Sequence, residues 1–182
     1  MPSRRKRSGG DHSPDRVRPT SGRVMLAMFS MLGPNGVDGK RVLDLYAGTG
    51  RLGLESLKRG AAFVELIEAD ARRCSAIQAA VEQYGFTDLC NVRRGRVERI
   101  LRGLDGVYDI VFIDPPYAMD PFQDVLDALG GRSLLSSEAT VFAEHGKRTG
   151  LDGQYAGLVK SDSRLYGDTA VTTFRPVENL EQ

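Results

Sequence analysis

The chain has no run of apolar residues approaching the roughly 20 needed to span a bilayer. Its 182 residues also include only two cysteines and two histidines, and no tryptophan. The missing apolar run excludes a helical membrane protein. Cys74 and Cys90 show none of the paired spacings of a zinc site, so no metal is expected and both read as buried, reduced thiols. The opening residues hold no apolar segment of the kind that directs secretion, so a cytoplasmic protein is expected. No internal repeat is visible, and nothing marks a second domain.

What is present is an ordinary globular composition, 41% hydrophobic and 27% charged, long enough for one real core. The formal net charge of +1 hides an asymmetry. Residues 1–18 hold Arg4, Arg5, Lys6, Arg7, Arg16 and Arg18 against Asp11 and Asp15, a net of +4. The remainder has 19 basic residues against 22 acidic ones, a net of −3. A basic arm rich in Ser, Gly and Pro on a mildly acidic body reads as a disordered, phosphate-seeking element. The organisation expected is an arm over 1–18, one domain over 19–176 and a short tail over 177–182.

Within the domain, strands and helices alternate. A helix over 24–32 follows the Thr20-Ser21 cap and stops at Gly33-Pro34. Strands are expected over 40–45, 62–67, 89–93, 108–113 and 139–144, with helices over 70–84, 97–104 and 121–129. Two last strand-like runs, 155–164 and 169–176, flank the turn signal Leu165-Tyr166-Gly167-Asp168. The fold expected is α/β: a doubly wound, mostly parallel seven-stranded sheet closed by an antiparallel C-terminal hairpin.

Two motifs carry chemistry. The apolar run Tyr108–Ile113 ends in Asp114-Pro115-Pro116-Tyr117. Two prolines stop the strand and hold a rigid turn that presents an acid, a carbonyl and an aromatic face. Those groups suit a flat ring bearing an amine. After the first strand, Asp44-Leu45-Tyr46-Ala47-Gly48-Thr49-Gly50 and Gly53 match a nucleotide-binding glycine loop, and Glu68 ends the second strand. An acid at position 44 would repel a pyrophosphate but balances the ammonium and sulfonium of S-adenosylmethionine. If the order of such an open sheet begins 3-2-1-4-5, it reverses between the strands ending at Asp44 and Asp114, and both motifs face one crevice.

Together these stretches resemble amino-methyltransferases acting on nucleic-acid bases. More narrowly, Arg18-Pro19-Thr20, the segment from Leu43 to Glu55, the tetrapeptide and Tyr166-Gly167-Asp168-Thr169 are similar to the RsmD family, bacterial methyltransferases of guanine N2 in small-subunit ribosomal RNA. The resemblance implies a Rossmann-like sheet of order 3-2-1-4-5-7-6 and S-adenosylmethionine as cofactor, with Asp44, Gly48 and Gly50 at its methionine end and Tyr46 and Ala47 also in the cofactor site. It places Glu68 on the ribose and Ala69, Arg96 and Val97 around the adenine. Arg96 stands where the family commonly has an acid, which leaves adenine recognition to backbone atoms or Glu98. Asp114, Pro115, Pro116 and Tyr117 form the implied catalytic set, in which the ring of Tyr117, rather than its hydroxyl, is expected to matter. Arg16, Arg18, Thr20, Arg23, Arg164 and Tyr166 are candidate RNA contacts, with Lys160 a weaker one; His145 is expected at the surface. The partner implied is ribosomal RNA in a partly assembled small subunit, and the enzyme a monomer.

Alternatives stay open at this stage: adenine-N6 methylation of DNA or RNA, a nicotinamide-dependent oxidoreductase, and an RNA-binding protein without catalysis.

Overall fold

The computed structural model describes residues 22–177; the arm and the Thr20-Ser21 cap lie outside them. Short apolar segments separated by helices can return over a sheet only as parallel strands. Here these are β1 (Arg41–Leu45), β2 (Phe63–Glu68), β3 (Cys90–Arg94), β4 (Tyr108–Ile113) and β5 (Leu135–Gly146). Antiparallel additions follow: β6 (Gln154–Tyr155), β7 (Leu158–Tyr166) and β8 (Thr169–Pro176). The sheet order is β3-β2-β1-β4-β5-β8-β7-β6.

The expected order is therefore found, with an eighth strand at one edge. Residues read as the start of the hairpin instead form β6 and fold back, pairing Tyr155 with Leu158. β5 is also longer than 139–144. Ser136, Ser137 and Glu138 break the apolar pattern, yet Ser136 Oγ donates to Asp109 Oδ1 at 2.9 Å where the β4–β5 register shifts. The bulge absorbs the polar residues.

Helices α1 (Gly22–Leu32), α2 (Arg51–Lys58) and α3 (Ala71–Gln83) pack on one face; α4 (Val97–Leu101) and α5 (Phe122–Gly130) cover the other. Asp70 caps α3 as its sequence suggests, Oδ1 accepting from the Arg73 N–H at 2.9 Å. Pro121 stands one place earlier than expected, as the N-cap of α5. α4 stops at 101, not 104, because Arg132 reaches across to donate to the Leu101 and Leu104 carbonyls. Strand β4 is buried on both faces: Val111 and Ile113 join one core, Ile110 and Phe112 the other. The Phe112 ring lies 5.7 Å from Phe29 and 5.5 Å from Phe142.

Among the described residues no helix is long and apolar enough to cross a membrane, and no side-chain cluster could hold a metal ion. Cys74 is buried but Cys90 only half so, and both thiols are free. Burial raises both pKa values, Cys90 to about 12, so neither is a ready nucleophile.

Candidate active site

The sheet reverses its order between β1 and β4, the point beyond whose carboxyl ends open α/β sheets form their ligand crevice. Leu45 pairs with Ile67 on one side and Ile113 on the other. Three backbone bonds extend these ladders into the loops: Ala47 N to Ile67 O (2.9 Å), Asp114 N to Leu45 O (3.4 Å) and Gly95 N to Glu68 O (2.9 Å). Asp44 lies level with Leu66 and Phe112, and two residues further along those neighbours come Glu68 and Asp114. Strand side chains alternate, so all three carboxylates project to the same face from adjacent strand ends. Burial pushes the Asp44 carboxyl up to about 7 against the Gly53 hydrogen bond, and repulsion from Asp114 and Glu68 adds to it.

The loop between Asp44 and α2 is held by these acids. Asp44 Oδ2 accepts from the Gly53 N–H at 2.9 Å. Glu68 Oε2 accepts from the Gly48 N–H at 2.7 Å, and its Oε1 from the Asp70 N–H at 2.8 Å. Gly50 combines a left-handed φ of 74° with crowding, since a Cβ there would stand 2.9 Å from Ile77 Cγ1. A Cβ on Gly53 would meet Leu66 Cδ2 at 2.7 Å, which fixes α2 tightly on β2. Gly48 differs: φ is 58°, yet its nearest neighbour would be 3.8 Å from an added Cβ. The chain there turns with open space beside it. Tyr46 is the one non-glycine among the described residues with positive φ, at 62°. Such backbone strain persists where surrounding contacts over-determine it.

Three acids gathered at one loop suit a cationic ligand and oppose a pyrophosphate. Glu68 is buried, each oxygen takes one hydrogen bond and Arg73 Nη1 stands 3.9 Å from Oε1, yet a carboxylate has about four lone-pair sites. It retains capacity for hydroxyl donors. Ala69 is exposed beside it, and Val97 is buried under the start of α4. Arg96 is exposed at the N-cap of α4, where its carbonyl accepts from Arg99 N and Ile100 N. Glu98 supplies the acceptor of this region: its Oε1 takes the Tyr46 hydroxyl proton at 2.7 Å. Burial, followed by the Glu98 bond, keeps that phenol protonated.

Across the crevice, Asp114 and Pro116 are half-buried, Pro115 is buried, and Tyr117 is 57% exposed. The Pro116 carbonyl accepts from the Met119 N–H at 2.8 Å, closing a turn behind the tetrapeptide. The Tyr117 hydroxyl lies 2.9 Å from Thr169 Oγ1. Thr169 opens β8, and the preceding Asp168 is held by Lys147 through both backbone and an ion pair. The tip of the hairpin is thus tied to the end of β5 and to the tetrapeptide. Sequence patterning marked this turn without revealing either tether.

The other candidates scatter. Arg16, Arg18 and Thr20 lie outside the described residues. Arg23 is exposed in the first turn of α1, and a Cβ on the adjacent Gly22 would lie 3.6 Å from Arg51 Nη2, which places that turn near the glycine loop. Tyr166 packs half-buried against the α1 side of the core. Arg164 turns away: its Nε donates to Asp162 Oδ2 at 2.8 Å, and both line a cavity of about 430 Å³ with Lys40, Asp109 and Met31. That cavity lies at the amino ends of β1 and β4, opposite the crevice. Lys160 donates to the Leu151 carbonyl. His145, expected at the surface, is buried instead. Its Nδ1 donates to the Gly146 carbonyl at 3.0 Å, Nε2 lies 2.8 Å from Thr172 Oγ1, and Phe122 meets the ring at 5.9 Å. Burial holds its pKa below the ordinary value. It fills a core position because β5 runs two residues further than the apolar pattern suggests.

Known proteins share the sequence pattern and the fold. The family described as Conserved hypothetical protein 95 matches residues 5–175. The chain is similar to the ribosomal RNA small subunit methyltransferase D of Escherichia coli K12, at 32% identity over 166 residues, covering 87% of this chain and 79% of that one. Among solved structures it is similar to a conserved hypothetical protein of Streptococcus pyogenes, with 33% identity and a TM-score of 0.76 over 82% of this chain and 93% of the other. A putative methyltransferase of Escherichia coli gives 26% identity and a TM-score of 0.79, with 88% and 89% covered.

Proposed function

The chain belongs to the Conserved hypothetical protein 95 family, that of the ribosomal RNA small subunit methyltransferases D, and from this membership and the crevice we propose that it methylates the exocyclic N2 amine of a guanine in small-subunit ribosomal RNA. The observation that carries the reading is the position of Asp44 and Asp114 on adjacent strand ends, facing one opening. S-adenosylmethionine supplies an electrophilic methyl group on a sulfonium when bound.

The residues present fit that cofactor. Asp44 with the open turn at Gly48 and the tight one at Gly50 would receive the methionine end, where a cation relieves the repulsion among three acids. Glu68 would accept from the ribose hydroxyls. Ala69 and Val97 would bracket the adenine, with Glu98, held by Tyr46, as the acceptor where Arg96 cannot serve. Asp114 Oδ and the Pro115 carbonyl would accept the two protons of the guanine amine and aim its lone pair into the crevice. Tyr117 would stack on the base, an interaction worth roughly 1–3 kcal/mol in single-strand binders. Much of the acceleration then comes from positioning two reactants in contact. The proton leaves after transfer, so Asp114 need not be a strong base. A guanine inside a helix is out of reach of such a crevice, so the target is an unpaired or flipped nucleotide, and a partly assembled subunit is the natural substrate.

Incubating the full chain with labelled S-adenosylmethionine and small-subunit particles from a deletion strain, then mapping the product, tests this. Label in N2-methylguanine is the expected result. Label in N6-methyladenine, or in naked DNA instead, would replace the reading.

A further inference from the structure

We propose that the β3 edge of the sheet, together with the exposed flank of α4, is a phosphate-binding surface for the substrate RNA. The inference rests on the RNA reading above and extends it to the far side of the crevice from the tetrapeptide.

Residues 93–102 contain five arginines against Glu98 alone, in a body whose net charge from residue 19 onward is −3. All five, Arg93, Arg94, Arg96, Arg99 and Arg102, are exposed. Only Arg93 has an anionic partner among the described residues, the buried Glu65. Glu98 is already engaged by Tyr46. Among the described residues, four guanidinium groups are therefore left without a neutralising carboxylate.

A charged edge strand by itself has a plain explanation, because charges on the outermost strand discourage pairing with another chain. That accounts for Arg93 and Arg94 on β3. It does not account for Arg96, Arg99 and Arg102, which recur every third residue along α4 and its flanking turns. Val97 and Leu101 on the same short helix face the core, so the arginines line the flank left to solvent. Like charges at this spacing repel and cost stability. A polyanion laid across them reverses the sign, and the guanidinium fork matches phosphate oxygens.

The position suits the same substrate. Arg94 pairs in register with Glu68, and the Gly95 N–H bonds to the Glu68 carbonyl, so the strip starts at the rim of the crevice and runs away from it along α4. RNA presenting a base to Tyr117 on the β4 side could cross the crevice and rest its backbone here.

The test is binding of a fluorescein-labelled transcript of a small-subunit ribosomal RNA domain to the full chain across a series of salt concentrations. The variant carries Arg94→Gln, Arg99→Gln and Arg102→Gln; a second carries Lys at the same three positions. The Gln variant is expected to bind at least about tenfold more weakly at equal salt, with the slope of log K against log[salt] reduced by about 2, as loss of two to three phosphate contacts requires. The Lys variant keeps most of the slope, and S-adenosylmethionine affinity stays unchanged in both. Unchanged RNA affinity and slope in the Gln variant would overturn the proposal, as would a loss of S-adenosylmethionine affinity, which would return the strip to the cofactor pocket. Absence of RNA binding by the unaltered chain would instead overturn the RNA reading on which it rests.

Discussion

The hydroxyl of Tyr117 lies 2.9 Å from Thr169 Oγ1, joining the loop after β4 to the first residue of β8 across 52 positions of sequence. An exposed ring with few neighbours needs such a tether to hold one orientation. Thr169→Val, which keeps shape and removes the hydroxyl, should lower kcat by up to about tenfold, the usual worth of one hydrogen bond. Thr169→Ser should restore it. Tyr117→Phe should cost about the same, a role for the hydroxyl that the sequence did not suggest, and the double variant should cost no more than either single one. Steady-state kinetics on all four variants decides the matter; additive losses would mean that the tether plays no part.

Asp114→Ala should abolish turnover while S-adenosylmethionine affinity stays within a few-fold, because the residue faces the acceptor across the crevice. Equilibrium dialysis against the labelled cofactor, run beside the turnover assay, checks it. Loss of cofactor binding would show that the acid serves the other side.

Asp44 links cofactor affinity to pH. Its carboxyl sits at about 7 rather than 3.8, mainly through burial. The folded protein therefore keeps a proton that the unfolded chain releases, and stability falls as pH rises between those two values. Cofactor binding has the opposite trend: affinity should grow as pH rises toward about 7, where Asp44 becomes the anion a cation prefers. Calorimetric titration below pH 7 in buffers of different ionisation enthalpy should show proton release on binding, and Asp44→Asn should remove both effects.

The glycines of the loop should separate by mechanism. Gly50→Ala meets Ile77 from a left-handed backbone, and Gly53→Ala meets Leu66. Each should lose about 1–3 kcal/mol of stability by urea unfolding. Gly48→Ala, with room beside it, should cost about 1 kcal/mol of strain but weaken cofactor binding more than either.

Removal of residues 1–15 should weaken RNA binding and flatten its salt dependence, since it takes away Arg4, Arg5, Lys6 and Arg7, four of the chain's 25 basic residues. Filter binding at two salt concentrations measures it.

The sequence by itself determined the alternation of elements and the two loops, because hydrophobic period, glycine and proline act locally; the sheet order came only with the family resemblance those loops carry. Asp70 at a helix start and Asp114-Pro115-Pro116 at a strand end needed no distant partner to be read. What depended on residues far apart had to wait for the tertiary structure. Ser136 became part of β5 through Asp109, α4 was cut short by Arg132, and His145 went into the core through Thr172 and Phe122. Arg164, basic and on the hairpin, turned toward Asp162 and the opposite end of the sheet. Tyr117 acquired Thr169, and Asp44 its raised pKa, only once neighbouring strands were laid side by side. Periodicity reports which face a side chain takes; which group it meets there is settled by packing.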